Sequence, residues 1–119
     1  MSQPRVRIQS EDFDLSTEVA ALRAGDHGVG AVAAFIGTVR DFNDGAGVTR
    51  MALEHYPGMT ERAIETMIDE AFRRFELRCA RVIHRIGTLE PMDQIVLVAV
   101  TSAHRGEAFA ACRYIIDEI

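Results

Sequence analysis

The stretch Gln94-Ile95-Val96-Leu97-Val98-Ala99-Val100-Thr101-Ser102-Ala103-His104-Arg105 decides the fold. Residues 95–100 are uninterrupted aliphatic, as a strand covered on both faces must be. Beyond it, Phe109, Cys112, Ile115, Ile116 and Ile119 recur at helical spacing up to the final residue. The pattern predicts a buried strand running directly into a helix, with His104-Arg105 at the helix N-terminus. Backbone N–H groups there have no intrahelical acceptor, and the positive end of the macrodipole adds to them, so an anion is favoured. A titratable imidazole beside a permanent guanidinium at such a point suggests a pocket for a phosphate-bearing substrate.

Working outward, residues 80–86 read as a second strand. The connection 88–93 is too short for a helical crossover, so this strand and the apolar one are expected to pair antiparallel. Residues 60–75 give the clearest helix. Ile64, Met67, Ile68, Ala71, Phe72 and Phe75 lie on one stripe, with Glu61, Arg62, Glu65, Asp69, Arg73 and Arg74 opposite. Residues 15–24 predict a shorter helix with Asp14 or Ser16 as N-cap and Gly25 past its end. Val6-Arg7-Ile8 alternates as a strand should. Residues 29–39 are apolar, β-branched and rich in glycine and alanine, which predicts a central strand; residues 48–56 are expected to return beside it as a hairpin across the turn cluster 41–47. The order β-α-β-β-α-β-β-α predicts an α+β fold, a mainly antiparallel sheet with packed helices.

Composition narrows the function. One domain is the natural count for 119 residues, and 48% apolar with 26% charged is ordinary globular composition. A net charge of −5 argues against broad nucleic-acid binding, which needs an excess of basic side chains. No apolar run approaches the about 20 residues that span a bilayer, and the N-terminus has no signal-peptide core, so a soluble, cytoplasmic protein without a membrane role is expected. Cys79 and Cys112 have no paired spacing and read as buried structural thiols of a reducing compartment, a disulfide or metal site being the alternative. Four scattered histidines supply no metal site, and no phosphate-loop, dinucleotide or nucleophile-elbow motif is present, so neither metal nor cofactor is expected. All 13 basic residues are arginine; there is no lysine.

Three further segments are dense in functional residue types. In Phe35-Ile36-Gly37-Thr38-Val39-Arg40, Arg40 alone reads as a solvated strand end; together with Phe35 as an apolar wall and Gly37 allowing close approach, it lines a pocket. Leu53-Glu54-His55-Tyr56-Pro57-Gly58-Met59 is either a strand ending in a Pro-Gly turn or part of a site. His84 in Val82-Ile83-His84-Arg85-Ile86-Gly87 reads as a satisfied strand-end residue.

Taken in order, Phe35 to Arg40, Leu53 to Met59, Val82 to Gly87 and Thr101 to Arg105 resemble the catalytic (large) subunit of molybdopterin synthase, the MoaE family. The resemblance implies an α/β hammerhead-like fold and a homodimer of this subunit at the centre of a heterotetramer. Each copy would dock a small ubiquitin-like, MoaD-like sulfur carrier ending in Gly-Gly. The carrier's thiocarboxylate would deliver sulfur to cyclic pyranopterin monophosphate (precursor Z), making the dithiolene of molybdopterin. By the same likeness Thr38, Val39, Arg40, His104 and Arg105 contact substrate and Phe35 helps to form the pocket, with His104, Arg105 and Arg40 catalytic. The two arginines and the imidazole are then expected to converge on the substrate phosphate. The resemblance also places essential lysines beyond Ile119, so these 119 residues are expected to fold, lacking the lysine-bearing tail, without catalysing. A non-catalytic docking scaffold and a small phosphate-ester hydrolase or binding domain are the competing readings.

Overall fold

The computed structural model describes residues 4–40, 51–53 and 60–119, with only the backbone of 51–53. The chain order is β1 (Val6–Gln9), α1 (Leu15–Arg23), β2 (Ala31–Thr38), β3 (Met51–Leu53), α2 (Glu61–Arg74), β4 (Cys79–Arg85), β5 (Gly87–Leu89), β6 (Gln94–Ser102) and α3 (Arg105–Glu118). Four strands form one sheet in the order β1-β4-β6-β2, while β3 and β5 make a separate two-stranded sheet. Both pairings of β6 are antiparallel, and β1 joins β4 in parallel. The expected α+β class and mainly antiparallel sheet are therefore present.

The aliphatic run became β6 because it needs cover on every side. It lies between β4 and β2, and Leu97 to Ser102 are all fully buried. Its alternate residues face two cores. Leu97 and Ala99 pack with Phe13, Leu22 and Ile83 beneath α1. Val98 and Val100 pack with Ile64, Ile68, Ala71, Ala111 and Ile115 beneath α2 and α3. The helix starts follow the sequence. Asp14 accepts from the Thr17 N–H at 3.0 Å and Thr60 from the Ala63 N–H at 3.0 Å, each satisfying a first-turn donor. Past α1, Gly25 takes φ +72°, the left-handed turn that closes a helix.

Four expectations need correction. Residues 31–38 form an edge strand: among the described residues β2 pairs only with β6. Its small residues serve α3, which lies on one face of it, while Val32 and Phe35 remain 36% and 38% exposed. Among the described residues of the expected hairpin, β3 pairs with β5 rather than β2. β5 itself, three residues long, falls partly in what the sequence reads as a connection. Phe109 lies outside the core at 68% exposure, and Ala108 and Ala111 fill the stripe instead. The turn cluster 41–47 and residues 54–59 lie outside the described residues.

One buried charge cluster was not foreseen. Glu18, in the first turn of α1, is paired with both Arg7 and the buried Arg81. An acid so enclosed requires cationic partners, since an isolated buried charge is expensive.

Both thiols are free, Cys79 half-buried and Cys112 buried. Cys112 donates to the Val98 carbonyl at 3.8 Å, and burial pushes its thiol up to about 11 from the ordinary 9.0. The raised value means the folded state keeps this proton while the unfolded chain loses it. The associated stability is full below about pH 9 and is lost as pH rises toward about 11. In native protein at pH 8, iodoacetamide is expected to label Cys79 at least about tenfold faster than Cys112, with the two rates converging in denaturant. Equal native rates would show that Cys112 is not enclosed.

Candidate functional site

Two segments carry the candidate chemistry, and each is held by backbone pairing. The first is the elbow from β6 into α3. Here His104 occupies the N-cap position with extended backbone (φ −128°, ψ 135°) and no side-chain cap bond, so the imidazole is not consumed by its own helix. Its carbonyl accepts the Ala108 N–H at 3.1 Å, the first helical bond. His104, Arg105 and Gly106 are exposed, and a Cβ built on Gly106 meets nothing within 4 Å. The first turn of a fourteen-residue helix thus opens toward solvent with an imidazole and a guanidinium beside it, an arrangement suited to binding an oxyanion.

The elbow is clamped from below. The Gly30 N–H donates to the Ser102 carbonyl at 2.9 Å, and a Cβ on Gly30 would stand 2.3 Å from the Ala103 carbonyl oxygen. Only glycine permits that approach. Ser102 is fully buried, with its hydroxyl donating to the Glu76 carbonyl at 2.6 Å and accepting from the His104 N–H at 3.1 Å. Gly30 and Ser102 were missed as site-shaping residues. The signal available was a small polar residue closing an all-aliphatic strand.

The second segment is the end of β2. Thr38 and Arg40 are exposed, whereas Val39 is buried at 3%. The Val39 N–H donates to the Asp93 carbonyl at 2.9 Å and its own carbonyl accepts from the Met92 N–H at 2.8 Å. Val39 thereby anchors the residues on either side of it. Met92 sits at φ +79° in the facing turn and is 87% exposed. Phe35 borders a hollow of about 160 Å³ with Val96, Val98, Ile116 and Ile119, giving an apolar wall on the α3 face. His84 is half-buried with Nδ1 2.9 Å from the Arg85 carbonyl, in keeping with a structural role.

The two segments do not meet within one chain. Ala31 pairs with Ser102 and Thr38 with Gln94, so the elbow and Arg40 lie off opposite ends of the β2–β6 ladder. At about 3.3 Å per residue, the seven steps from Ala31 to Thr38 alone separate them by about 23 Å. The expected convergence of Arg40 on His104 and Arg105 therefore fails inside a protomer. Antiparallel pairing is the reason.

A four-stranded sheet with a histidine–arginine helix N-terminus at one end and an exposed arginine at the other defines the class: an α+β domain with cationic side chains at both ends of its β2–β6 ladder. A family model described as "MoaE protein" matches residues 8–119. The molybdopterin synthase catalytic subunit of Ralstonia nicotianae is 64% identical over 114 residues, covering 96% of this chain and 65% of that protein. The solved molybdopterin cofactor biosynthesis protein E of Burkholderia multivorans superposes with a TM-score of 0.85 at 52% identity, covering 98% of this chain and 75% of that one. Molybdopterin synthase from Staphylococcus aureus gives a TM-score of 0.83 at 31% identity, covering 98% and 83%. The chain belongs to the MoaE family, and it spans about two thirds of the length of its Ralstonia relative.

The elbow geometry gives a contrast between two glycines. Gly30→Ala is expected to cost about 1–3 kcal/mol in urea unfolding, as a forced overpacking does. Gly106→Ala, with open space and helical backbone, is expected to be neutral or to stabilise by up to about 1 kcal/mol. A silent Gly30→Ala would mean the elbow is loose.

Proposed function

We propose that this chain is the large, catalytic subunit of a molybdopterin synthase. In this reading it holds cyclic pyranopterin monophosphate while sulfur passes from the thiocarboxylated C-terminus of a small ubiquitin-like carrier to the substrate. The observation that carries the proposal is the open, uncapped start of α3 with His104 and Arg105 beside it. Membership of a family whose named relatives are molybdopterin synthase catalytic subunits supplies the reaction.

The residues divide the work by chemistry. Arg105 and the first-turn N–H groups of α3 take the substrate phosphate, since guanidinium and helix donors together match oxyanion geometry. His104 moves a proton as the phosphate ester is displaced and the carrier's sulfur adds to carbon, a role imidazole fills near neutral pH. In each transfer a carbon–sulfur bond forms as a carbon–oxygen bond of the substrate breaks, and water then hydrolyses the resulting thioester, leaving sulfur on the substrate and a carboxylate on the carrier. Thr38 and Arg40 contact the substrate from a second side, Val39 fixes them through its backbone, and Phe35 supplies a flat apolar surface. Two unpaired thiols agree with a reducing, cytoplasmic setting. Among the described residues no helix is long and apolar enough to cross a membrane.

Because the β2–β6 ladder holds Arg40 away from His104, we place each site between two copies of the chain. One copy contributes Arg40 and the other His104 and Arg105. The exposed, apolar β2 edge, with Val32 and Phe35, supports such an association.

The test is complementation in the full-length protein assembled with its small subunit. Arg40→Ala and His104→Ala are each expected to lower sulfur transfer by about 10²-fold or more. After unfolding and refolding the two variants together, half of the dimers are mixed and each mixed dimer has one intact site. Activity is then expected to return to about a quarter of wild type. A mixture no more active than its components would confine the site to one chain or remove these residues from it.

A further inference from the structure

Ser102 takes no part in the proposed chemistry, yet it is the most constrained polar residue near it. Its side chain is fully buried, and both directions of its hydroxyl are committed: the proton goes to the Glu76 carbonyl at 2.6 Å, and a lone pair receives the His104 N–H at 3.1 Å. That proton sits on a peptide carbonyl rather than an imidazole, which leaves no general base for a nucleophilic role. The bonding continues through Glu107 in the first turn of α3, whose carboxylate accepts the Glu76 N–H at 2.8 Å. The peptide groups of Glu76 are thus gripped by Ser102 through the oxygen and by Glu107 through the nitrogen. Two residues on, the Arg78 N–H donates to the Thr101 carbonyl at 2.8 Å. The α2–β4 connection is laced to both sides of the elbow.

We infer that Ser102, with Glu107 beside it, is a positioning residue for the His104–Arg105 pair. A buried hydroxyl with every bond satisfied has one orientation, and through the His104 N–H it fixes where the N-cap backbone stands. The imidazole and guanidinium are then presented in a single arrangement, and less ordering remains to be done when the phosphate binds. Glu107 also satisfies a backbone donor of the connection that would otherwise be free to drift. The inference rests on the reading of this elbow as the phosphate-binding end. It adds that the binding geometry is set by the buried Ser102 and its partly exposed neighbour Glu107, residues that never touch substrate.

The experiment compares wild type, Ser102→Ala, Glu107→Ala and Glu107→Gln in the full-length protein assembled with its small subunit. Two readouts are taken: KM and kcat for cyclic pyranopterin monophosphate, and backbone amide hydrogen exchange at His104 and Arg105. Ser102→Ala is expected to raise KM about tenfold, to lower kcat per folded protein about tenfold as the imidazole is misplaced, and to speed His104 exchange at least about tenfold. Glu107→Ala is expected to shift both in the same direction by about threefold, and Glu107→Gln, which keeps an acceptor oxygen, to restore them. An unchanged KM with kcat falling only as folded protein falls would reduce Ser102 to a packing residue and overturn the inference. Should Ser102→Ala not fold, the Glu107 pair decides by the same criteria. If wild type transfers no sulfur, the proposed activity fails separately, and exchange at His104 alone decides: no acceleration in either alanine variant overturns the positioning role.

Discussion

The antiparallel register between β2 and β6 is the constraint on which the structure and its function both depend. Ala31 against Ser102 at one end and Thr38 against Gln94 at the other tie two segments of candidate chemistry to a common ladder. They also hold the segments apart. Each is well built locally: the elbow by Gly30 and Ser102, the β2 end by Val39 and the turn through Met92. The ladder that fixes each of them prevents them from closing on each other. A site using both must recruit a second copy of the chain, and symmetry then makes two such sites at once.

The same ladder explains where the apolar surface goes. β6 is covered on both faces and both edges, so it anchors the two cores. β2 shares one of those edges, carries α3 on one face and leaves Val32 and Phe35 open. An edge strand with exposed aromatic and β-branched residues is a liability for an isolated protein, and it is relieved when another chain covers it. Beneath α1, the Glu18–Arg7–Arg81 cluster shows a different economy. The enclosed Glu18 and Arg81 offset each other, the partly exposed Arg7 adds a second cation to the same carboxylate, and the cluster lies on the face away from α3.

Much of this was legible in the chain. The aliphatic run declared the burial that Leu97 to Val100 complete, and the stripe of α2 and the cap Asp14 were set by local chemistry. What failed were choices made by distant partners. β5 is three residues long and exists only because β3 lies beside it, so no local pattern marks it. The small residues of β2 mean close approach, but the sequence does not say that the approaching element is a helix on one face rather than strands on both edges. Phe109 keeps helical phase yet faces outward, because Ala108 and Ala111 fit the narrow gap between α3 and the sheet. At the site, His104 and Arg105 stood out by residue type at a strand-to-helix junction. Their distance from Arg40 could not be read, since it follows from a pairing direction that neither segment encodes alone.

The most direct measurement is a crystal structure of the full-length protein, assembled with its small subunit and bound to the phosphate-bearing substrate. The quantity to read is the distance from the Arg40 guanidinium of one copy to the imidazole of His104 of the partner subunit. Groups flanking one phosphate ester should stand within about 10 Å of each other across the dimer. A separation above about 20 Å both within and between copies, on the scale of the strand that divides them, would contradict a shared site.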